Sequence, residues 1–235
     1  MYKASITTSL INRHVSLLPE GKPFSTRIFL GYGKRSAVDK CLSRLVNRGR
    51  IIRLARGVFV KFYILSKVIL PSIEEVARCK ARAFGRKIYT HGAYAAYIYG
   101  FINPDDTENA ARCYADAAGY THPSAQSKKV KPKMIFAVAG HTTSFQYGKT
   151  RIVLKGTSAK RLKAGDSIPG LLIRGLKHAG IREGSKQLIN SNSIFVRREH
   201  KQQLQTLTWQ MPWWLSNQFH TADVDTAIAN NSYCM

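Results

Sequence analysis

The sequence predicts an α+β fold, in which amphipathic helices are combined with short strands that pair as small antiparallel sheets. Apolar residues recur at three- and four-residue spacing in several segments, which is the spacing of one helix face. Strand-like runs separated by glycine-containing turns occur in both halves of the chain and predict hairpins. The 235 residues are 44% hydrophobic and 10% aromatic, so we expect a packed core and not a disordered chain.

Positive charge is concentrated in two blocks. The chain carries 37 Lys and Arg against 13 Asp and Glu, a net charge of +24. Residues 1–62 and 128–178 each contribute +11, whereas residues 63–127 and 179–235 each contribute +1. Clustered positive charge predicts a polyanionic partner, for which nucleic acid is the first candidate.

A membrane partner is not expected. The longest apolar run, Val58 to Leu70, is interrupted by Lys61, Ser66 and Lys67 and is too short to span a bilayer. No signal peptide is recognised at the start of the sequence. We therefore expect a cytoplasmic protein.

The two basic blocks predict two domains, one at residues 1–65 and one at residues 71–215. Pro71 cannot continue a strand ladder and suits the first turn of a new helix, which favours a boundary just before it. Within the second domain, residues 103–132 are rich in polar and turn-forming residues and predict an exposed insertion. Residues 216–235 show no sustained period and predict a flexible tail.

Three helices are expected in the first domain. Apolar spacing predicts a first helix that ends near Pro19 and a short second helix from Ser25, its expected N-cap, to Leu30. A third helix is predicted over residues 35–47, with Gly49 as its stop. One face of that third helix is apolar, and the other carries short polar and cationic side chains.

A basic hairpin follows these helices. Residues 50–54 and 58–62 are strand-like, and Ala55-Arg56-Gly57 joins them with a glycine at the turn. Three helices followed by a basic hairpin is the order of a winged helix-turn-helix, in which the third helix enters the major groove and the hairpin contacts the backbone. On this interpretation the predicted DNA-binding residues are Lys34, Arg35, Ser36, Lys40, Ser43, Arg44, Asn47, Arg53 and Arg56. The alternative for the helix alone is an amphipathic helix with a solvated face.

The second domain is predicted to be α+β with a small antiparallel sheet. We expect a helix over residues 71–84, strands over residues 134–138, 143–147 and 150–154, and a helix over residues 169–178. Five cations fall close together in sequence and predict a second nucleic-acid surface: Arg151, Lys155, Lys160, Arg161 and Lys163. A solvated basic face is an equally good interpretation of this cluster.

No enzyme, metal or cofactor is predicted. The four cysteines are widely spaced, with no Cys-x-x-Cys pair, and favour reduced thiols over a zinc site. Gly33-Lys34 lacks the other residues of a phosphate-binding loop. Glu74 and Glu75 fit the first turn of a helix better than a nuclease site. Among the histidines only His91 lies where a site could open, and a structural role is favoured for it.

The first domain also resembles a known family. The segments that carry the resemblance are Phe24-Ser25, residues 34–46 and residues 49–59, which look like the winged-helix domain of AbiEi-type antitoxins. Met211-Pro212-Trp213-Trp214 looks like the closing segment of the second domain of these proteins. The resemblance implies a transcriptional autorepressor that binds inverted repeats in its own promoter, with two copies on the DNA. It also implies an antagonist of a nucleotidyltransferase-like toxin, for which the second cation cluster (Arg151, Lys155, Lys160, Arg161 and Lys163) would be the candidate toxin surface. The insertion at 103–132 is longer than expected for the family.

Two rival functions remain open at this point. The first is a non-specific DNA- or RNA-binding protein that uses both basic blocks. The second is a nuclease, which we rank last because its candidate acids have simpler structural explanations.

Overall fold

The computed structural model describes residues 2–62, 70–101, 133–190 and 203–217. The chain forms two compact units, one made of Met1–Ile88 and Thr143–Leu154 and the other of Tyr89–Thr142 and Lys155–Met235. The predicted insertion at 103–132 and most of the predicted tail lie outside the described residues. The predicted domain boundaries stay a prediction.

In the first unit, two α-helices and a 3-10 helix pack beside a three-stranded sheet. The elements are α1 (Tyr2–Leu17), β1 (Pro23–Ser25), a 3-10 helix (Thr26–Tyr32), α2 (Arg35–Asn47), β2 (Ile51–Ala55) and β3 (Val58–Lys61). The sheet is antiparallel with strand order β1–β3–β2, so β3 is central. In this register Phe59 of β3 lies opposite Phe24 of β1 on one side and opposite Arg53 of β2 on the other.

An apolar core joins these elements. Phe29 of the 3-10 helix and Val38 and Leu42 of α2 are fully buried, and Cys41 packs beside them as a small apolar group. His14 Nδ1 lies 2.8 Å from the hydroxyl oxygen of Tyr32, which links α1 to the end of the 3-10 helix. Burial of each large side chain contributes roughly 1.5–3 kcal/mol, so this core fixes the orientation of α2. The remaining buried members of the cluster are Ile11, Val15, Phe24, Leu45, Ile51 and Phe59.

The first unit is completed by α3 (Ile73–Arg82) and by the hairpin of β6 (Thr143–Tyr147) and β7 (Thr150–Thr157) up to Leu154. Ser72 caps α3: its hydroxyl accepts a hydrogen bond from the backbone N–H of Glu75, whose carboxylate accepts one from the N–H of Ser72. Val76 of α3 packs with residues of β2 and β3 in a second cluster. The Tyr147 hydroxyl donates to the carbonyl oxygen of Pro71 at 2.6 Å.

The second unit contains β4 (Ile88–Thr90), α4 (Gly92–Ile98), β5 (Lys133–Ala139), the end of β7, a 3-10 helix (Ala159–Leu162), α5 (Ile168–Asn190) and a 3-10 turn (Thr208–Gln210). Strand β4 is hydrogen-bonded to β5. Two glycines allow close packing of α4 and α5. A Cβ at Gly92 would lie 2.7 Å from the carbonyl oxygen of Arg174, and one at Gly175 would lie 3.0 Å from the backbone nitrogen of Ala96.

The predicted α+β class, with small sheets, is confirmed. The third predicted helix has the predicted bounds, while the last one continues past His178 to Asn190 across a break at Gly180, where φ is 85°. Ser25 holds the predicted N-cap position, although the short helix that it precedes is a 3-10 helix and its side chain forms no capping hydrogen bond. Ser25 also ends β1, a strand that the sequence did not predict. Among the described residues, no helix combines the length and apolar character needed to cross a bilayer.

Candidate nucleic-acid interface

Helix α2 has one buried and one exposed face. Val38, Cys41, Leu42 and Leu45 point into the core of the first unit. The residues of the opposite face follow one another at helical spacing, and all of them are exposed. Its exposed members are Ser36, Lys40, Ser43, Arg44 and Asn47. The helix therefore presents a row of hydrogen-bonding and cationic groups that the described residues of the unit leave exposed.

The two cations at the start of α2 differ in whether they form a salt bridge. Lys34 occupies the N-cap position and is exposed. Arg35 is also exposed, but its Nε lies 3.0 Å from Asp39 Oδ2 one turn later. The hydroxyl of Ser43 donates to the backbone carbonyl oxygen of Asp39 at 2.9 Å. Arg35 is thus the one predicted DNA-binding cation of the described residues that already has an acidic partner.

The β2–β3 hairpin places two further cations in solvent. Arg53 is exposed on β2, next to an irregularity in the register between Arg53 and Ala55. Arg56 is exposed in the two-residue turn, where Gly57 has a φ of 76°. That backbone conformation is accessible to glycine without strain and sets the tight turn that presents Arg56.

Lys80 of α3 lies beside the hairpin cations, although the sequence patterns did not single it out. Its ammonium donates a hydrogen bond to the carbonyl oxygen of Arg56 and lies 5.8 Å from the centre of the Phe145 ring. Burial lowers the pKa of Lys80, and the nearby charges of Arg56, Arg35 and Arg53 lower it further. The hydrogen bond from Lys80 therefore stabilises the hairpin turn. The ammonium of Lys80 also lies close enough to cations of α2 and of the hairpin for their charges to lower its pKa.

A signal for Lys80 exists in the sequence. Val76 and Ala77 mark the buried face of α3, and Lys80 follows Val76 by four residues. A lysine on the apolar face of a helix is expected to hold a specific partner. The partner, a backbone carbonyl of the hairpin, is not visible from side-chain patterns.

The predicted second surface is divided in the structure. Arg151 belongs to the β6–β7 hairpin, where its Nη2 donates to the hydroxyl of Ser144 at 3.1 Å. In the second unit, Lys155 and Arg161 line a cavity. Lys160 and Lys163 instead place their ammonium groups 5.5 and 5.2 Å from the ring of Trp209. The five cations thus have three different surroundings.

One segment of the chain matches a protein family whose function is not known. Residues 11–103 match a family of unknown function (DUF6088). The match begins within α1 and extends past α4, so it includes every predicted DNA-binding residue. No curated protein and no solved structure matches the chain.

Proposed function

We propose that residues 1–62 form a winged helix-turn-helix that binds double-stranded DNA. On this proposal α2 lies in the major groove, where its short polar and cationic side chains read base edges. Arg53 and Arg56 of the β2–β3 hairpin contact phosphates or the minor groove beside it. The order of helices and strands and the β1–β3–β2 sheet support this assignment.

The observation that carries the proposal is the pairing of two exposed basic elements on one rigid core. Lys40 and Arg44 project from the solvent face of a helix whose other face is fully packed. Arg56 projects from a tight turn that Lys80 holds by a hydrogen bond. Solvated cations that bind nothing add little to the stability of a protein, so their positions need not be held by packing or hydrogen bonds. Fixed positions are expected where cations must match the groups of a binding partner.

The direct test is a binding titration of the full chain with DNA. A labelled duplex from the region upstream of its own gene is compared with a scrambled duplex of equal length at about 100 mM salt. The Lys40→Glu/Arg44→Glu variant should bind the upstream duplex about 100-fold more weakly, since each lost contact costs on the order of 1–3 kcal/mol. The matched control is Lys160→Glu/Lys163→Glu, which makes the same charge change in the second unit and should bind as the unchanged chain does. Unaltered binding by the α2 variant would refute the proposal.

The resemblance to AbiEi-type antitoxins extends the proposal to a biological role. We infer a sequence-specific transcriptional repressor that binds inverted repeats in its own promoter as two copies of the chain. We further infer an antitoxin that antagonises a nucleotidyltransferase-like toxin. Co-expression with a nucleotidyltransferase-like protein encoded beside it should restore growth, and growth arrest that the chain does not relieve would contradict the antitoxin role.

One observation favours a second candidate function, non-specific nucleic-acid binding through both basic surfaces. Trp209 is 41% exposed, and the ammonium groups of Lys160 and Lys163 lie 5.5 and 5.2 Å from the centre of its ring. An exposed aromatic ring flanked by cations can stack with an unpaired base while the cations hold the backbone. Equal affinity for the upstream and scrambled duplexes, with loss of binding in Lys160→Glu/Lys163→Glu, would favour this candidate over the repressor.

A further inference from the structure

The second unit contains a cavity that the DNA-binding proposal does not use. Its volume is about 290 Å³. Its walls come from the start of α4, strand β5, the end of β7, the 3-10 helix Ala159–Leu162, α5 and the 3-10 turn Thr208–Gln210. This volume is close to the lower end of the range for small-molecule sites, about 300 Å³. Ala137, Leu162 and Ile173 give the cavity an apolar wall.

Among the described residues, the charged side chains that line this cavity are all cationic: Lys155, Arg161, Arg174 and Lys177. Lys155 and Arg161 are exposed at the rim, Lys177 is half-buried and Arg174 is only 9% exposed. Burial lowers the pKa of Lys177, and the charge of Arg161 lowers it further, so these two cations lie close together. Like charges gathered in one concave space raise its affinity for an anion.

Two buried donors at the cavity lack partners. Arg174 Nη1 donates to the carbonyl oxygen of Gly165 at 2.7 Å and Nη2 donates to Asp166 Oδ1, but the buried Nε has no partner among the described residues. Gln210 is 5% exposed, and its Oε1 accepts from the N–H of Ala164. The buried Nε2 of Gln210 likewise has no partner among the described residues. A buried donor is costly unless an acceptor pairs with it, and a ligand oxygen in the cavity would be such an acceptor.

Asp166 forms an ion pair with Arg174, but the net charge of the described side chains around the cavity stays positive. Its carboxylate also accepts from the backbone N–H of Thr90, at 3.0 Å to Oδ1. This carboxylate compensates the charge of Arg174, and the described lining residues include no acid that would balance Lys155, Arg161 and Lys177.

His91 adds a neutral imidazole beside these cations. Its Nδ1 accepts a hydrogen bond from the backbone N–H of Ala93, so the neutral ring carries its proton on Nε2. Burial lowers the pKa of His91 to about 4, and the neighbouring charges of His178, Lys155, Lys133 and Arg174 contribute to the shift. The contributions of the surrounding cations reflect a positive field at the cavity.

We propose that this cavity binds the phosphate group of a phosphomonoester, with a nucleotide-sized small molecule as the ligand. A phosphomonoester carries close to two negative charges and several acceptor oxygens, which match a cluster of Lys and Arg donors. A phosphodiester of a nucleic-acid backbone carries a single charge, so it matches the three uncompensated cations less well. The apolar wall would contact the organic part of the ligand.

The test is isothermal titration calorimetry of the full chain with five probes: adenosine 5′-monophosphate, adenosine, inorganic phosphate, and an oligonucleotide with and without a 5′-phosphate. Saturable binding should require the terminal phosphate. Binding of the monophosphate supports the proposal, whereas binding of the 5′-phosphorylated oligonucleotide alone would contradict a small-molecule ligand and identify the end of a nucleic acid instead.

Two variants and a matched control link binding to the cavity. Lys177→Gln removes one lining cation, and Gln210→Glu keeps the acceptor for Ala164 while replacing the unpartnered donor by a negative charge. Both should weaken binding of the phosphate-bearing probe about tenfold or more. Lys163→Gln removes an equal charge next to Trp209, outside the cavity, and should leave binding within about twofold of the unchanged chain. Thermal melting checks that each variant is folded.

Either of two results would overturn the proposal. One is the absence of saturable binding for every phosphate-bearing probe by the folded chain. The other is equal weakening by Lys177→Gln and Lys163→Gln, which would mean general attraction of anions to a basic protein.

Discussion

Replacement of Arg56 by alanine tests the role of the hairpin in DNA binding. Arg56 is exposed in the β2–β3 turn, and its backbone carbonyl is held by Lys80. The substitution removes the guanidinium but keeps the carbonyl that Lys80 contacts and the glycine that forms the turn. We therefore expect a change in binding with little change in folding.

The magnitude follows from the number of cations available to phosphates. In the described part of the chain, five exposed cations of the interface form no salt bridge: Lys34, Lys40, Arg44, Arg53 and Arg56. If each contacts one phosphate, log K should fall with log salt concentration with a slope of about −4.5, and Arg56→Ala should reduce it to about −3.6. Between 50 and 200 mM salt the unchanged chain should lose about 500-fold in affinity and the variant about 150-fold.

Fluorescence anisotropy of labelled duplexes at a series of salt concentrations measures this slope. The reduction should be the same for upstream and scrambled duplexes, because a phosphate contact carries no sequence information. Arg78→Ala is the matched control, since Arg78 lies on α3 in a salt bridge with Glu74. An unchanged slope for Arg56→Ala, or an equal reduction for Arg78→Ala, would refute the assignment of the hairpin to the DNA backbone.

Three further predictions concern support, stability and pH. Lys80→Met removes the hydrogen bond to the hairpin turn and should weaken DNA binding in titrations. Its salt slope should stay closer to −4.5 than that of Arg56→Ala, because the substitution removes no cation that is counted as a phosphate contact. Ser72→Ala removes the cap of α3 and should cost about 1 kcal/mol, seen as a melting temperature lower by roughly 2–4 °C, whereas Ser72→Asn should retain most of the stability. The pKa of His91 is lowered to about 4, so the unfolded chain binds its proton first and this contribution to stability is lost as the pH falls from about 6.5 to 4. Chemical denaturation should show a loss of about 3 kcal/mol from this group, and a folded His91→Asn variant that keeps the whole pH dependence would contradict it.

Local patterns in the sequence were sufficient to predict much of the first unit. The apolar spacing of Val38, Leu42 and Leu45 fixed the bounds of α2, because a helix of this length buries one continuous stripe. Gly57 marked the hairpin turn, because a positive φ is a local requirement. The exposed residues of α2 followed directly from the buried ones.

Features that depend on contacts between distant segments were not predictable in this way. β1 is three residues long, and its strand character comes from pairing with β3 some 35 positions later. The contact of Lys80 with the carbonyl of Arg56 involves no side-chain pattern. The cavity of the second unit gathers residues from 91 to 210, and its unpartnered donors on Arg174 and Gln210 emerge only from a complete account of hydrogen bonds. Nearness in sequence was also a poor guide to the second basic surface. Lys160 and Arg161 are adjacent in the chain, but Lys160 lies over Trp209 whereas Arg161 lines the cavity.

The most direct measurement of the central proposal is ultraviolet crosslinking of the full chain to the upstream duplex, followed by mass spectrometry of the crosslinked peptides. If α2 and the β2–β3 hairpin bind the DNA, crosslinks should fall within residues 34–56. Crosslinks confined to residues 151–163, with none in α2 or the hairpin, would contradict the account.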